Sequence, residues 1–396
     1  MRRSLLVIYA AVTLDTIGIG LIFPLLPSLL RELTGSGEVS LLYGVVLSIY
    51  AAMQFLFAPV LGALSDRYGR RPVLLASMVG AALDYLVMAV APSVGLLILS
   101  RAIAGLTSAS FAVATAYLAD ISSEEERADR FGKLNAVFGL GFIIGPVLGG
   151  LLGAVHLRAP FLMAAALLAA NAAFAWRWLP ESRPGQAGTF QIQQLSPVAP
   201  LRWALGLVGL RPVLLVFGLL NFAWQVYGAV WALYGEARFG WSTALVGLSF
   251  TFYGACHALA QGGLTAPAMA RLGARGTVYA GVILEGVTLL AMSWAGAGWM
   301  VFALIPLMAV SGVSLPALQT LLSNAVDEDH QGAIQGVMVS AASLATVVGP
   351  LFFAVLYGQS PAGWPGLVWA VPAALYLLAT PLFARLPRVG GAASRT

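Results

Sequence analysis

Charged residues are scarce in this sequence. Only 9% of the 396 residues are charged and 60% are hydrophobic, whereas about a quarter of the residues of a soluble globular protein are charged. A soluble chain of this length has no means of hiding so much apolar surface from water. The composition therefore excludes soluble protein classes and predicts an all-α protein embedded in a lipid bilayer.

Residues and motifs for catalysis or metal binding are also scarce. The single cysteine, Cys256, excludes an internal disulfide and a cysteine metal cluster. The three histidines, His156, His257 and His330, lie far apart, and neither an HExxH nor a GxSxG motif occurs. Cys256 and His257 do not form a catalytic pair, because neighbouring residues on a helix point about 100° apart. The sequence thus favours a protein that is not an enzyme and holds no permanent cofactor.

The basic residues predict an orientation in the membrane and no nucleic acid partner. The net charge is +5, but the arginines are scattered among loops and form no patch. If the N-terminus lies inside, seventeen of the 21 basic residues fall on the cytoplasmic side. Because cytoplasmic loops are enriched in Lys and Arg, both termini are predicted to be cytoplasmic.

Twelve apolar segments, each long enough to cross a bilayer, follow one another in two sets of six. They lie near 5–28, 41–62, 73–92, 95–118, 132–155 and 160–179, and near 213–235, 242–264, 277–296, 299–322, 332–357 and 366–384. The stretch between the sets is rich in Pro, Gly and Gln, which break helices and stay hydrated. We therefore predict an N-terminal six-helix bundle in 1–180, a cytoplasmic linker in 181–212 and a C-terminal six-helix bundle in 213–396. Within the linker, 203–210 is predicted to form a short interfacial helix.

An internal repeat relates the two sets. The stretch 66–71 (DRYGRR) reappears as 270–275 (ARLGAR), an offset of 204 residues. The same offset relates Gly132 to Gly336, Gly145 to Gly349, Pro146 to Pro350, and Asp120 to Asn324. A parallel repeat of six spans indicates two bundles related by an axis along the membrane normal, with a substrate bound between them near the middle of the membrane.

Three acidic residues lie deep inside the predicted spans. Asp15, Asp84 and Glu285 are some 8 to 11 residues from a span end, which is roughly 12–17 Å at 1.5 Å per residue. Ionisable groups at this depth are costly and are commonly found on ion or proton pathways. The alternative is that each acid is satisfied by Arg101 or by a helix end.

Polar side chains recur at helical spacing in three spans. Tyr253, His257 and Gln261 share one helix face, and the same spacing relates two further pairs. These pairs are Tyr50 with Gln54 and Asn221 with Gln225. The three stripes predict a wet central cavity that binds substrate, although such residues also join helices by hydrogen bonds, and His257 could be a satisfied core histidine.

A loop between the second and third segments carries a GxLxDRxGRR motif, which resembles that of the major facilitator superfamily. The motif residues are Gly62, Leu64, Asp66, Arg67, Gly69, Arg70 and Arg71. The resemblance implies a cytoplasmic latch, in which Asp66 pairs with arginines and with helix ends of the other bundle. It also implies that Asp120 and Arg127 join this network. A loop of solvated arginines would explain the arginines but not the glycines and the aspartate.

Two further motifs resemble patterns of the same superfamily. Leu97, Arg101, Gly105 and Ala109 resemble its buried-arginine motif, which leaves both a structural role and a proton-transfer role open for Arg101. A GxxxGPxxGG pattern in the fifth segment resembles the signature of drug/proton antiporters. Its residues are Gly141, Gly145, Pro146, Gly149 and Gly150. These residues could equally form only a helix-packing seam.

The resemblance is stronger to the tetracycline/proton antiporters and covers nearly the whole chain. It is carried by LDTIGIGLIFPLLPSLLREL, by the motif loop running into RRPVLLASMVGAALDYL, by RFGWSTALVGLSF and by SLPALQTLLSN. It implies functional roles for Asp15, Asp84, His257 and Glu285 in proton coupling, with His257 and Glu285 also in substrate binding. Glu285 departs from the aspartate that is usual in that family.

The resemblance also implies an activity. We expect a secondary transporter of the bacterial cytoplasmic membrane that exports tetracycline, chelated to a divalent cation such as magnesium, in exchange for protons. A monomer is compatible with the sequence. The alternative on the same scaffold is a multidrug/proton antiporter for other amphipathic substrates. A receptor or sensor would not require intramembrane acids in both halves.

Overall fold

Helices form all the regular structure that the computed structural model describes, which covers residues 2–108, 110–183, 196–206, 211–327 and 330–384. The first unit's helices are α1 (Arg2–Thr34), α2 (Ser40–Tyr68), α3 (Arg70–Val90), α4 (Val94–Thr107), α5 (Ser110–Ile121), α6 (Glu124–Val155) and α7 (Ala159–Trp178). They are followed by α8 (Ala199–Gly206), α9 (Arg211–Phe239), α10 (Thr243–Ser293), α11 (Gly298–Ser311), α12 (Ser314–Ser323), α13 (Gln331–Gly358) and α14 (Leu367–Ala384).

The helices have the length and hydropathy of membrane spans. Ten helical stretches are long and apolar enough to cross a bilayer, and 367–381 of α14 is a shorter apolar helix. The 51 residues of α10 would extend about 76 Å if straight, more than twice the ~30 Å of a hydrocarbon core. A non-helical Gly273 divides α10, so it supplies two spans. The twelve predicted segments are thereby accounted for, and the all-α membrane fold is confirmed.

Exposed apolar side chains agree with this environment. Leu259, Trp299 and Val155 are all largely exposed. Water would make such a surface costly, whereas lipid tails solvate it. The fold therefore presents apolar side chains outward as well as inward.

The chain divides into two compact units. The first comprises Met1–Pro197 with Gly240–Thr251, and the second comprises Val198–Phe239 with Phe252–Thr396. In the first unit α6 packs along α1, and in the second α13 packs along α9. The predicted boundaries at 181 and 212 stay predictions, and much of that stretch lies outside the described residues.

The repeat is visible in the backbone. Gly69 (φ 98°, ψ 160°) and Gly273 (φ 68°, ψ 168°) adopt nearly the same conformation at the predicted offset. Positive φ is readily tolerated only by glycine. Gly35 and Gly240, which are 205 residues apart, also share a φ of 66°. The two halves thus turn in the same way between corresponding helices.

Helix α8 occupies part of the predicted linker. It begins at Ala199, four residues before the predicted start, with Pro200 in its first turn, where proline costs no hydrogen bond. The ring of Trp203 stacks on His330 at 5.6 Å. His330 also hydrogen-bonds Asp327 and so lowers the pKa of that carboxyl. These contacts attach α8 to the turn before α13, while 207–210 lie outside the described residues.

Candidate functional site

An ion pair forms the centre of the first unit. Arg101 of α4 lies 2.9 Å from Asp84 of α3, measured from Nη1 to Oδ2, and both side chains are buried. The Arg101 guanidinium also lies 4.4 Å from the centroid of the Tyr50 ring, a favourable cation–π geometry. Asp84 therefore has the arginine partner that the sequence left open.

Asp15 of α1 differs from Asp84. It lines the same small cavity of about 10 Å³ together with Asp84, Tyr50 and Arg101. However, Asp15 makes no hydrogen bond or ion pair with the residues that the structure describes, and its side chain is half-buried. Of the two acids, Asp15 is the one whose charge has no direct partner.

The two polar residues of the α2 stripe, Tyr50 and Gln54, form hydrogen bonds within the first unit. The Tyr50 hydroxyl lies 2.9 Å from Ser108 Oγ, and Gln54 Nε2 donates to that same oxygen at 2.9 Å. Tyr50 lines the acidic cavity, and Gln54 does not. Ser108 is the C-cap residue of α4, and α5 begins at Ser110. Tyr50 and Gln54 therefore bind the break between the two helices of this span.

The second unit contains a larger cavity of about 200 Å³. Its lining includes Glu285, His257, Gln261, Asn221 and Trp224. These residues come from α9 and both halves of α10, so the kink at residue 273 brings them together. The predicted polar stripes of spans seven and eight thus meet at one cavity.

Glu285 is held by two hydroxyl groups. Tyr227 donates to its Oε1 and Ser311 donates to its Oε2, and Glu285 is 2% exposed. Ser311 also lies 2.6 Å from the carbonyl oxygen of Met308. Hydrogen bonds to both carboxyl oxygens fix the orientation of the group at the cavity wall.

His257 also lines that cavity, against Gly312. A Cβ at position 312 would lie 2.6 Å from His257 Cε1, so a side chain there would displace the imidazole. Tyr253 and Gln261 make long contacts to the two ring nitrogens, at 3.4 and 3.5 Å. Gln261 also donates to the Gly312 carbonyl at 2.9 Å.

Two predicted binding residues of the second unit, Gln225 and Tyr253, do not line this cavity. Gln225 donates to the Asn221 carbonyl of its own helix and packs against Gly349 of α13. Tyr253 stacks between Tyr227 and His257. Their predicted role in binding stays a prediction.

Arg70 is the centre of the motif loop, residues 62–71. It lies 2.7 Å from Asp66 and 3.2 Å from Asp120, and it donates to Ser65 Oγ at 2.6 Å. Arg183 lies 3.6 Å from Asp66. The predicted association of Asp66, Arg70 and Asp120 is present, and all of these partners belong to the first unit.

Glu181 completes this network from the beginning of the linker. Its carboxylate accepts from the backbone N–H groups of Arg70 at 2.8 Å and Arg71 at 3.1 Å. These groups are at the N-terminus of α3, where Gly69 offers no side-chain cap. A carboxylate there satisfies free N–H groups and complements the helix dipole.

The remaining motif residues lie around this network. The Arg67 guanidinium lies over the Tyr68 ring at 5.3 Å, and the Arg71 guanidinium donates to the Trp176 carbonyl. Gly62 accepts from Ser65 at 2.8 Å through its carbonyl. Among the described residues Arg127 makes no side-chain hydrogen bond or ion pair, and its gating role stays a prediction.

The glycines of the fifth segment form a tight seam between α6 and α1. An added Cβ would lie 2.5 Å from the Ile17 carbonyl at Gly145, 2.7 Å from Thr16 at Gly141 and 2.8 Å from the Leu21 carbonyl at Gly149. At Gly150 it would lie 2.6 Å from the Thr243 carbonyl, and Pro146 contacts Gly20 and Gly247. The motif residues therefore do form a helix-packing seam.

Gly145→Ala should destabilise the protein. The new methyl would meet backbone that cannot rotate away, and overpacking of this kind costs about 1–3 kcal/mol. Gly139→Ala is the matched control, because it lies on the same helix with open space around its Cβ. Thermal unfolding in detergent should show a lower midpoint for Gly145→Ala only. Equal midpoints for the two variants would contradict the seam.

The sequence did not identify Tyr227, Ser311 or Glu181 as site residues. Tyr227 lies two positions from Gln225 and therefore falls outside the polar stripe on α9. Ser311 is one of many serines in spans. One feature of the sequence could have identified Glu181: it is an acidic residue directly after a span, on the arginine-rich side.

Comparisons with known proteins agree with this architecture. The family model described as Major Facilitator Superfamily matches residues 8–263 and 213–395. Tetracycline resistance protein, class C, of Escherichia coli is 45% identical over 384 residues, covering 97% of each chain. Class G of Vibrio anguillarum is 44% identical, covering 97% of this chain and 98% of its own.

Solved structures of other proteins have a similar fold. The human organic anion transporter MFSD10 (TETRAN) is 26% identical with a TM-score of 0.71, covering 96% of this chain and 99% of its own. The peptide transporter POT has a TM-score of 0.79 at 14% identity, covering 98% of this chain and 95% of its own, a likeness of fold alone. These neighbours are transporters and not enzymes, as the missing catalytic motifs predicted. The chain belongs to the Major Facilitator Superfamily and, within it, to the family of the tetracycline resistance proteins.

Proposed function

We propose that this protein exports tetracycline from the bacterial cytoplasm in exchange for protons, by alternating access across the cytoplasmic membrane. The observation that carries this proposal is the near-full-length similarity to tetracycline resistance proteins. It coincides with a buried acid beside a cavity in each unit. The activity would make a bacterium resistant to the antibiotic.

The cavity of the second unit suits one end of the drug. Tetracycline chelated to a divalent cation such as magnesium carries a positive charge, and Glu285 supplies a negative one. Asn221 and Gln261 offer hydrogen bonds, and Trp224 offers an apolar ring. Pockets for drug-sized ligands usually measure ~300–1,000 Å³, so about 200 Å³ accommodates part of the molecule. The metal ion is cargo in this proposal.

The acids of the first unit are suited to bind the exchanged proton. Arg101 balances the charge of Asp84, which leaves the Asp15 carboxylate as the group that a single proton neutralises. Export of a monocation against the membrane potential is opposed by about 2.3 kcal/mol per 100 mV. One proton entering cancels that charge movement, so the exchange is electroneutral.

The orientation follows from the arginine distribution. Both termini and the motif loop lie in the cytoplasm in this proposal, because cytoplasmic loops carry the excess of arginine. The network around Arg70 then acts as a gate on that side. The proposed cycle needs one copy of the chain, a membrane, the drug and protons, and no nucleic acid.

Uptake into inside-out membrane vesicles tests the proposal. Acidifying the vesicle lumen should drive accumulation of tetracycline with magnesium, and a protonophore should abolish it. Absence of accumulation would overturn the proposal. Accumulation of unrelated cationic dyes to the same extent would instead identify a multidrug/proton antiporter.

Glu285→Gln should weaken tetracycline binding. Hydrogen bonds and ion pairs to a charged group contribute about 1.5–3 kcal/mol, which corresponds to roughly a 10- to 100-fold higher Kd. Equilibrium binding to purified protein measures this change. Glu285→Asp is the control, since it keeps the charge and should lose less affinity. Unchanged affinity with lost proton coupling would assign Glu285 to the proton pathway.

A further inference from the structure

The cavity of the second unit presents a single fixed negative charge. Glu285 is the only acidic residue among the described residues that line it. The side chain is 2% exposed, and both carboxyl oxygens already accept a hydrogen bond, from Tyr227 and from Ser311. A carboxylate fixed in this way draws a cation to one place on the wall.

An aromatic ring lies close to this carboxylate. Trp224 lines the same cavity. Its ring centroid is 5.1 Å from that of Tyr227, whose hydroxyl group bonds Glu285. The indole and the carboxylate are therefore separated by no more than one tyrosine side chain. A cation is attracted to an indole face within ~6 Å of its centroid and pairs with a carboxylate within ~4 Å, so one cation can contact both groups.

The rest of the wall is poorly suited to a metal ion. Leu220 and Leu315 are apolar, and the Gly312 carbonyl already accepts from Gln261. Magnesium requires a near-octahedral set of oxygen ligands and usually keeps several waters. In the part of the chain that the structure describes, no three His, Cys, Asp or Glu residues are grouped so as to hold a metal ion. One carboxylate among aromatic and aliphatic side chains suits a compact organic cation instead.

Tetracycline carries such a cation. Its dimethylammonium group has one N–H donor and two methyl groups, and it lies on a different ring from the oxygens that chelate the metal. The charge and the N–H group complement Glu285. The methyl groups complement the face of Trp224 and the leucines of the wall, as in aromatic sites for methylated ammonium ligands.

We propose that this cavity binds the dimethylammonium group of tetracycline between Glu285 and the Trp224 ring, with the chelated metal ion outside the cavity. Trp224 is then a residue that determines specificity for tertiary amines. The proposal rests on the proposed function, because that function supplies tetracycline as the ligand. It specifies which end of the drug enters the second unit.

A tetracycline analogue that lacks the dimethylamino group tests the site. Equilibrium binding of both compounds to the purified full-length protein, with magnesium present, gives a ratio of two Kd values. In the wild type the analogue should bind roughly 30-fold more weakly, since it loses both the ion pair and the cation–π contact. Glu285→Gln should lower this ratio about tenfold and Trp224→Leu about threefold.

Two further tryptophan variants serve as controls. Trp224→Phe keeps an aromatic ring and should lower the ratio less than Trp224→Leu does. Trp299→Leu removes a tryptophan that is 72% exposed and does not line the cavity, so it should leave the ratio unchanged. The dependence of tetracycline binding on magnesium should persist in Glu285→Gln, because the metal ion lies elsewhere.

Several results would overturn the proposal. Equal affinity of the wild type for the two compounds would do so, as would an equal loss of affinity for both compounds in Trp224→Leu. Loss of the magnesium dependence in Glu285→Gln would place the metal ion at Glu285 instead. Tetracycline binding with the expected ratios but without proton-driven uptake would overturn the proposed function and leave the ammonium site in place. No binding of either compound would overturn both.

Discussion

Asp66→Asn should nearly abolish transport while the protein reaches the membrane at normal abundance. Asp66 is 57% exposed and pairs with Arg70 and Arg183, and exposed ion pairs contribute only about 0–1 kcal/mol to stability. Arg70 keeps Asp120 and Ser65 as partners, so the fold survives. In the proposed gate, asparagine removes the charge on which closing and reopening depend.

Uptake into vesicles measures transport, and an immunoblot of the same membranes measures the abundance of the protein. Arg71→Ala is the comparison, since its guanidinium donates to a backbone carbonyl and joins no carboxylate pair among the described residues. Transport should decline less in that variant. Wild-type uptake rates in Asp66→Asn would refute the gating role of this loop.

Asp15→Asn should eliminate proton-driven accumulation and retain counterflow. Asparagine resembles the protonated carboxyl in shape and charge, but it cannot release or accept the proton. In the proposed exchange, protons and the cationic drug compete in the wild type, so binding should weaken as pH falls and substrate should displace a proton. Both effects should diminish in Asp15→Asn.

Binding titrated in detergent between about pH 5 and 9, with proton release followed in weak buffer, measures this competition. Asp129→Asn is a suitable control, because Asp129 is an exposed acid paired with Lys133 on α6 at 2.7 Å. It should behave as the wild type does. Binding by the wild type that is independent of pH, with no proton released, would rule out the competition.

The sequence was sufficient for the fold because its signals are periodic. Long apolar segments predict spans wherever they occur, and the repeat at an offset of 204 residues anticipated the matching backbone at Gly69 and Gly273. Deep acids stand out for the same reason, since an ionisable group interrupts an otherwise apolar run. Asp15 and Glu285 could therefore be located before any contact was known.

Partners across helices could not be predicted in this way. Tyr227 and Ser311 bond Glu285 from 58 and 26 residues away. Tyr and Ser are ordinary residues in a membrane helix, and their spacing carries no period. Only the kink at Gly273 and the packing of separate helices place them beside the acid.

The position of Glu181 decides where this chain can be divided into two co-expressed halves. A first half that ends at residue 180 lacks the carboxylate that binds the first N–H groups of α3. A first half that ends after Arg183 keeps Glu181, together with the Arg183 contact to Asp66. The last span of the first half ends near Leu179. The two residues that contact the motif loop, Glu181 and Arg183, lie after the end of that span.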